Sequence, residues 1–427
     1  MSQDSFGDFH YRDAKLFCGD VCVEDIARQF GTPVYIYSAA HFRDQYHSFA
    51  NAFKKIKHRI FYAVKSNGNL SVIREFKQLG AGMDVNSEGE MLRAIKAGVK
   101  GSDMILTGVG KTAAEIKAGL EQGVIMIKAE SKDEIALINR IAGELGITAP
   151  VAIRVNPDVN PRTHPYISTG LSENKFGISK PLALNIYKNY QEFPNVRFTG
   201  IDMHIGSQIT TTAPFKEAVE KLADVYFEVQ RSGLTLEHFD IGGGIGIRYE
   251  DETPFTPREL ASVIMPTLKK LDCDVFFEPG RYLTGNGGIL VVKVLYIKEA
   301  EDKHFIVTDG AMNDLLRPSI YDAYHHVQPL TLRDEPEVVT DVVGPVCESG
   351  DFFTRKRALQ TPQHDELLAV MSAGAYGMVM SSNYNARRRV PEVMVDGNSF
   401  RLVRGRETYE HLFYDEEDLL NVKKTDT

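Results

Sequence analysis

Between residues 59 and 279 the chain alternates two hydrophobic periods in a fixed order. Runs rich in β-branched and aromatic residues, at 59–65, 82–87, 104–108, 124–129, 151–156, 199–206, 238–243 and 274–279, predict strands. Between them apolar residues recur three and four apart: Leu70, Ile73, Phe76 and Leu79; Ile135, Ile138, Ile141 and Leu145; Ala218, Leu222, Val225 and Val229. That spacing predicts helices with one apolar stripe. Ser87 with Glu90, and Ser131 ahead of Asp133 and Glu134, mark helix starts; Gly80, Gly98, Gly123, Gly146 and Gly233 mark ends. Strands joined through helices run parallel, with the helices on the outside. Eight such units over about 220 residues predict an α/β fold, a (β/α)8 TIM-type barrel in preference to an open doubly wound sheet.

After residue 285 the rhythm changes. Strand-like runs at 291–300, 304–312, 337–346, 366–377 and 399–407 follow one another with little helix between, which predicts a mainly β domain. Residues 33–37 near the start also read as a strand. The expected division is therefore a segment 1–38 that folds with the C-terminal strands, a barrel over 39–285, and a β domain over 286–427.

Composition narrows the class of function. The 427 residues carry a net charge of −9, which argues against nucleic acid and anionic membranes, since both demand a basic face. No run of about 18 apolar residues is present to span a bilayer. The N-terminus lacks a basic stretch followed by an apolar one, and Cys18 and Cys22 are too far apart for a CxxC pair. These features predict a cytoplasmic, reduced protein that handles a small molecule, with no metal.

In a parallel barrel the chemistry stands where strands end. Lys65 ends the first strand, Asp84 lies in the second, and His204 ends the sixth. Gly242, Gly243 and Gly244 end the seventh, and Glu278 and Arg281 end the eighth. A lysine after an apolar run is partly desolvated, which favours a nucleophilic amine able to form a Schiff base, although a salt bridge fits it as well. Three glycines suit a phosphate nest or a tight turn. The dinucleotide fingerprint fits poorly, because Ile247 stands where its third glycine belongs. Glu278 suits a partner for a protonated ring nitrogen, or an ion pair with Arg281. His204 has Ser207 and Gln208 at the positions where a metal site needs a second ligand, so it reads as a ring packed on a planar cofactor or a hydrogen-bonded core histidine. Taken together, the four features describe pyridoxal 5'-phosphate. Further along, Arg317 and Tyr321 are spaced for one helical face, and Arg317 with Arg281 can clamp a carboxylate. Cys347 beside Glu348 reads as a loop cysteine, either a buried hydrophobe or a proton donor, and Tyr376 sits between glycine-flanked residues in GAYG.

The motifs YAVKSN, GMDVNSEGE, HPYISTG (164–170) with ENKFG (173–177), MHIGSQI, IGGGIGI, EPGR, LLRPSIYDAYH, GPVCESGD and GAYG run in one order along nearly the whole chain. In that order they resemble the diaminopimelate decarboxylases, barrel-fold pyridoxal phosphate enzymes related to alanine racemase. The resemblance implies that Lys65 holds the cofactor covalently, that His204 stacks on its ring and that Glu278 partners its nitrogen. It further implies that Asp84 lines the cofactor site, and that Ser207, Gly242 to Gly244, Pro279, Gly280 and Arg281 lie near the phosphate. Arg281, Arg317 and Tyr321 would grip a distal carboxylate and Glu348 a distal amine. Cys347 would donate a proton, and Tyr376 would sit near cofactor and substrate. It also implies a homodimer in which Cys347 and Glu348 reach the neighbouring subunit's site.

The expected reaction is decarboxylation of meso-2,6-diaminoheptanedioate to L-lysine, the last step of lysine biosynthesis. The alternatives are a related decarboxylase of this fold acting on ornithine, another D-amino acid or carboxynorspermidine, and a non-catalytic protein that binds the same cofactor. A racemase is disfavoured by a glutamate at the ring nitrogen. An aldolase that uses Lys65 alone leaves the glycines and Glu278 without a role.

Overall fold

The computed structural model describes residues 6–160, 175–300 and 303–421; the HPYISTG segment and residues 173–174 lie outside the described residues. The chain forms two compact units, one of residues 41–285 and one of 1–40 with 286–427.

The first unit is a closed parallel barrel. Its strands are β1 (His58–Ala63), β2 (Gly82–Val85), β3 (Met104–Leu106), β4 (Met126–Ala129), β5 (Ala149–Asn156), β6 (Val196–Asp202), β7 (His238–Asp240) and β8 (Asp274–Phe277). Each pairs in parallel with the next, and β8 returns to β1 through Val275–His58 and Phe277–Ile60. Helices follow the first seven strands, from Leu70–Gln78 to Pro257–Leu268. The caps explain where they start. Ser87 accepts from the Glu90 N–H, but the Glu90 carboxylate turns back to Asn86, so the box there is displaced by one residue. Full reciprocal boxes form instead at Thr112–Glu115 and Thr256–Glu259. In Leu70–Gln78 the buried face is Val72, Ile73 and Phe76; Leu70, expected on that stripe, is 37% exposed because the face is rotated toward Val72.

The second unit is β-rich. Its central strand, Gly288–Ala300, pairs antiparallel with Val34–Ser38, which in turn pairs parallel with Glu392–Asp396. The early strand thus lies inside the sheet, and its Val34 and Ile36 share a core with Phe9, Leu16, Ile26, Ile289, Val291 and Val393. Three strands at the start, Phe9–Arg12, Lys15–Cys18 and Val21–Cys22, are too short to show alternation in the sequence. Phe352–Gln360 also escaped the pattern: Arg355, Lys356 and Arg357 interrupt it, and Lys356 takes a φ of 50° where the register with Glu337–Val343 slips.

Candidate active site

Side chains in a strand alternate between its two faces, so residues two apart point the same way. Inside the barrel Phe61, Ile105, Met126, Ala152 and Phe276 form an apolar plug. Two residues further toward the C-terminal mouth, the same faces carry Lys128 after Met126, Arg154 after Ala152 and Glu278 after Phe276. Asp202 and Asp240 join that level, above Gly200 and above His238, whose ring stacks on Phe276 at 4.5 Å. A charged layer therefore rests on an apolar one.

At its centre the Lys128 ammonium lies 2.5 Å from Glu278 Oε1, 2.7 Å from Asp202 Oδ1 and 2.9 Å from Asp240 Oδ2. All four groups are buried. The three carboxylates are grouped closely enough to hold a metal ion, and the ammonium occupies the position between them. Burial alone pulls the lysine toward its neutral form, but Asp202, Asp240 and Glu278 outweigh that and keep it charged, its pKa well above the ordinary value. Burial, with Asp240 and Asp84 beside it, pushes Glu278 well above the usual carboxylate range despite Lys128. Arg154 is paired separately, donating to Glu130 at 3.0 Å.

Lys65 stands in a short 3-10 turn, Val64–Ser66, at the end of β1. Its amine lies 3.5 Å from both Asp84 Oδ2 and Asn86 Oδ1, and its side chain is 37% exposed, so it faces the mouth less desolvated than its apolar approach suggests. Burial raises the Asp84 carboxyl, but Lys65 and Lys128 outweigh it and hold the group below its usual value. Asp84 Oδ1 is buried and has no hydrogen-bond partner among the described residues. The 278–281 segment passes close beside this turn: a Cβ on Gly280 would stand 3.0 Å from that of Ser66 and 3.1 Å from that of Ala63.

The triple glycine answers mainly to packing. A Cβ on Gly242 would sit 2.8 Å from His204 Nδ1, one on Gly243 2.2 Å from the Glu278 carbonyl, and one on Gly244 2.4 Å from the Gly206 carbonyl. Three strand ends can meet only because these positions lack side chains. Gly242 N–H donates to Asp240 Oδ1 and Gly243 N–H to His204 Nδ1, so two of the three expected nest donors serve the loop itself. The second contact leaves Nδ1 unprotonated, and burial, reinforced by Lys65, Arg154 and Lys128, keeps the imidazole neutral. Arg281 is buried, with Nη2 3.0 Å from Ser207 Oγ and Nη1 2.5 Å from the Tyr249 hydroxyl. Lys65, Asp84, His204, Ser207, Gly242 to Gly244 and Glu278 to Arg281 all lie at this end of the barrel.

The remaining candidates lie in the β-rich unit. Arg317 and Tyr321 begin and end one helical turn, with Arg317 buried. Ser319 Oγ donates to the Gly350 carbonyl, tying this turn to the loop of Cys347 and Glu348, both exposed. Asp351 ties a second strand of chain to that loop, accepting from Met312 N–H and Val346 N–H at 2.7 Å each. Gly344 permits this, since a Cβ there would meet the Asp351 carboxylate at 2.5 Å. Tyr384 also joins the group: Glu348 near its phenol raises its pKa. Tyr376 holds a φ of 56°, a left-handed conformation unusual for an aromatic residue.

Sequence reading missed Lys128, Asp202, Asp240, Tyr249, Asp351 and Tyr384. Lys128 had a usable signal, since it sits two residues past Met126 within a strand, on the inward face.

Residues 39–285 match the family model described as the pyridoxal-dependent decarboxylase, pyridoxal binding domain. The diaminopimelate decarboxylase of Pseudomonas aeruginosa is 45% identical over 95% of this chain and 97% of its own length. That of Aquifex aeolicus is 43% identical over 94% and 96%. The structure of diaminopimelate decarboxylase from M. jannaschii in complex with L-lysine superposes with a TM-score of 0.92 at 36% identity, over 97% of this chain and 98% of that one. Similarity at this level runs through both units, and the chain belongs to the diaminopimelate decarboxylase family of pyridoxal-dependent decarboxylases.

Proposed function

We propose that this enzyme removes CO2 from the D-configured centre of meso-2,6-diaminoheptanedioate, leaving L-lysine, with pyridoxal phosphate as its cofactor. The observation that carries the reading is Lys65 at the barrel mouth, sharing one rim with Glu278, in a chain related over nearly its full length to diaminopimelate decarboxylases. The rim fits this cofactor. A half-buried lysine at the mouth suits its aldehyde, the buried Asp84 Oδ1 marks unspent polar capacity, and Ser207, Gly244 and Arg281 offer donors to a phosphate.

When bound, pyridoxal phosphate supplies the electron sink that accepts the pair left as the carboxylate departs. Lys65 would hold the cofactor through its amine until the substrate amine takes its place. Glu278 would face the ring nitrogen and favour a proton there, and the neutral His204 ring would line the face of the cofactor. Cys347 Sγ returns a proton to the α-carbon, so that a C–H bond replaces the broken C–C bond. Arg281, Arg317 and Tyr321 bind the distal carboxylate, Glu348 binds the distal amine, and Tyr376 borders both ligands. Lysine or ornithine in this site would lack the distal carboxylate that Arg281, Arg317 and Tyr321 are placed to bind, and would forgo that charge-assisted contact.

The exposure of Cys347 and Glu348 supports a homodimer in which they complete a neighbouring subunit's site. Four free cysteines support a cytoplasmic location. The test is CO2 release from meso-diaminoheptanedioate, with D-lysine and D-ornithine run alongside. Release from the first alone supports both chemistry and clamp; release only from a monocarboxylic analogue overturns the substrate. Lys65→Ala is expected to abolish the visible absorption of the cofactor-loaded protein, and an unchanged band refutes the assignment of Lys65.

A further inference from the structure

We propose that Lys128 is a positioning residue for the decarboxylation, a buried counter-charge that fixes the Glu278 side chain toward the cofactor's ring nitrogen and opposes its protonation. The inference rests on the reading of Glu278 given above and deepens it.

The geometry carries it. Glu278 leaves the end of β8 with nothing in its own segment to orient it, and its Oε1 meets Lys128 Nζ at 2.5 Å from across the barrel. Lys128 is itself fixed: it donates to Asp202 on β6 and forms an ion pair with Asp240 on β7. The ammonium thus donates to Glu278 and Asp202 and forms an ion pair with Asp240. The arrangement therefore defines one orientation for Glu278.

Charge counting gives the second half. Asp84 from β2, Asp202, Asp240 and Glu278 put four carboxylates into the layer, against the ammoniums of Lys65 and Lys128. Arg154 from β5 is matched by Glu130, and His204 is neutral. Removing Lys128 would leave three buried acids facing one another with no cation between them. Such a group relieves itself by taking up protons, and Glu278, already pushed upward by burial, Asp240 and Asp84, is the member that would take one. A protonated Glu278 is a weaker, uncharged acceptor for a protonated ring, and the electron sink would weaken.

Three holoenzyme variants test this: Lys128→Met, Lys128→Met with Asp202→Asn, and Glu278→Gln. The double variant preserves the net charge of the layer while still deleting the contact to Glu278, and it carries the test should Lys128→Met fail to fold. The expected result for either folded Lys128 variant is a kcat lowered about 100-fold with KM little changed, as for a misplaced group outside the substrate contacts. The pH midpoint of the holoenzyme's visible absorption is expected to move by about one unit, a signature that loss of packing alone does not produce. A folded variant with wild-type kcat and an unmoved midpoint overturns the role of Lys128. If Glu278→Gln is impaired in that same series, only this inference falls; if Glu278→Gln is also unaffected, the assignment of Glu278 falls with it.

Discussion

Replacing Asp202 by asparagine is expected to stabilise the cofactor-free protein, and more so as the pH rises. Asp202 is fully buried; burial, with Asp240 beside it, pushes its carboxyl up to about 6 against the downward pull of Lys128. The unfolded chain keeps the ordinary 3.8. A carboxyl raised on folding takes nothing from stability below its unfolded pKa, where both states are protonated. Stability is lost as the pH climbs from about 4, where the unfolded chain ionises first, and the loss is complete above about 6. At about 1.36 kcal/mol per unit, the full loss is roughly 3 kcal/mol, of which about half already applies at pH 5. Asparagine removes the charge yet keeps a carbonyl oxygen for Lys128 to donate to, 2.7 Å away in the native geometry. The advantage of the variant should therefore grow by roughly 1–2 kcal/mol between pH 5 and pH 8, or about 3–6 °C in Tm for a unit of this size. The chain has no tryptophan, so far-UV circular dichroism of the cofactor-free protein is the suitable probe. A Tm difference that stays flat or narrows between pH 5 and pH 8 refutes the surplus of negative charge assigned to the layer.

Other substitutions separate chemistry from scaffold. Cys347→Ala should cut kcat about 100-fold or more, in the range of a lost general acid, with the visible band intact; wild-type turnover returns the residue to a passive surface position. Gly243→Ala drives a methyl to within 2.2 Å of the Glu278 carbonyl, so it should cost about 1–3 kcal/mol and lower kcat together, checked by Tm and turnover. Arg317→Met should raise KM for the dicarboxylic substrate about 10-fold or more while leaving the visible band unchanged, and an unaltered KM removes Arg317 from the clamp.

The barrel was legible because its signals are local. Each strand is a short run of β-branched and aromatic residues bounded by a cap such as Ser87 or Ser131 and a glycine such as Gly146, which closes its helix at a φ of 67°. A parallel strand flanked by helices needs nothing more to be seen. The β-rich unit was legible where apolar runs are unbroken, as at Val34–Ser38, and not where charges interrupt them, as in Phe352–Gln360. Glu392–Asp396 takes its place from Val34–Ser38, far away in sequence, whereas Lys15–Cys18 pairs with its immediate neighbours but is too short to show alternation.

The site divides along the same line. Lys65, His204 and Glu278 stand at strand ends beside recognisable motifs, whereas Lys128 ends VIMIKA and reads as a lysine reaching for solvent. Its partners Asp202, Asp240 and Glu278 lie 74, 112 and 150 residues away, on three other strands. Only the register of the closed barrel raises them to one level. The same register constrains the glycines: Gly243 touches Glu278 and Gly242 touches His204, so the motif first read as a phosphate nest is also the spacer that lets β6, β7 and β8 bring their polar ends together. A sequence reports the residues that chemistry requires at a loop; it conceals a buried counter-charge, because whether a lysine in an apolar run reaches water or three carboxylates depends on the strands opposite.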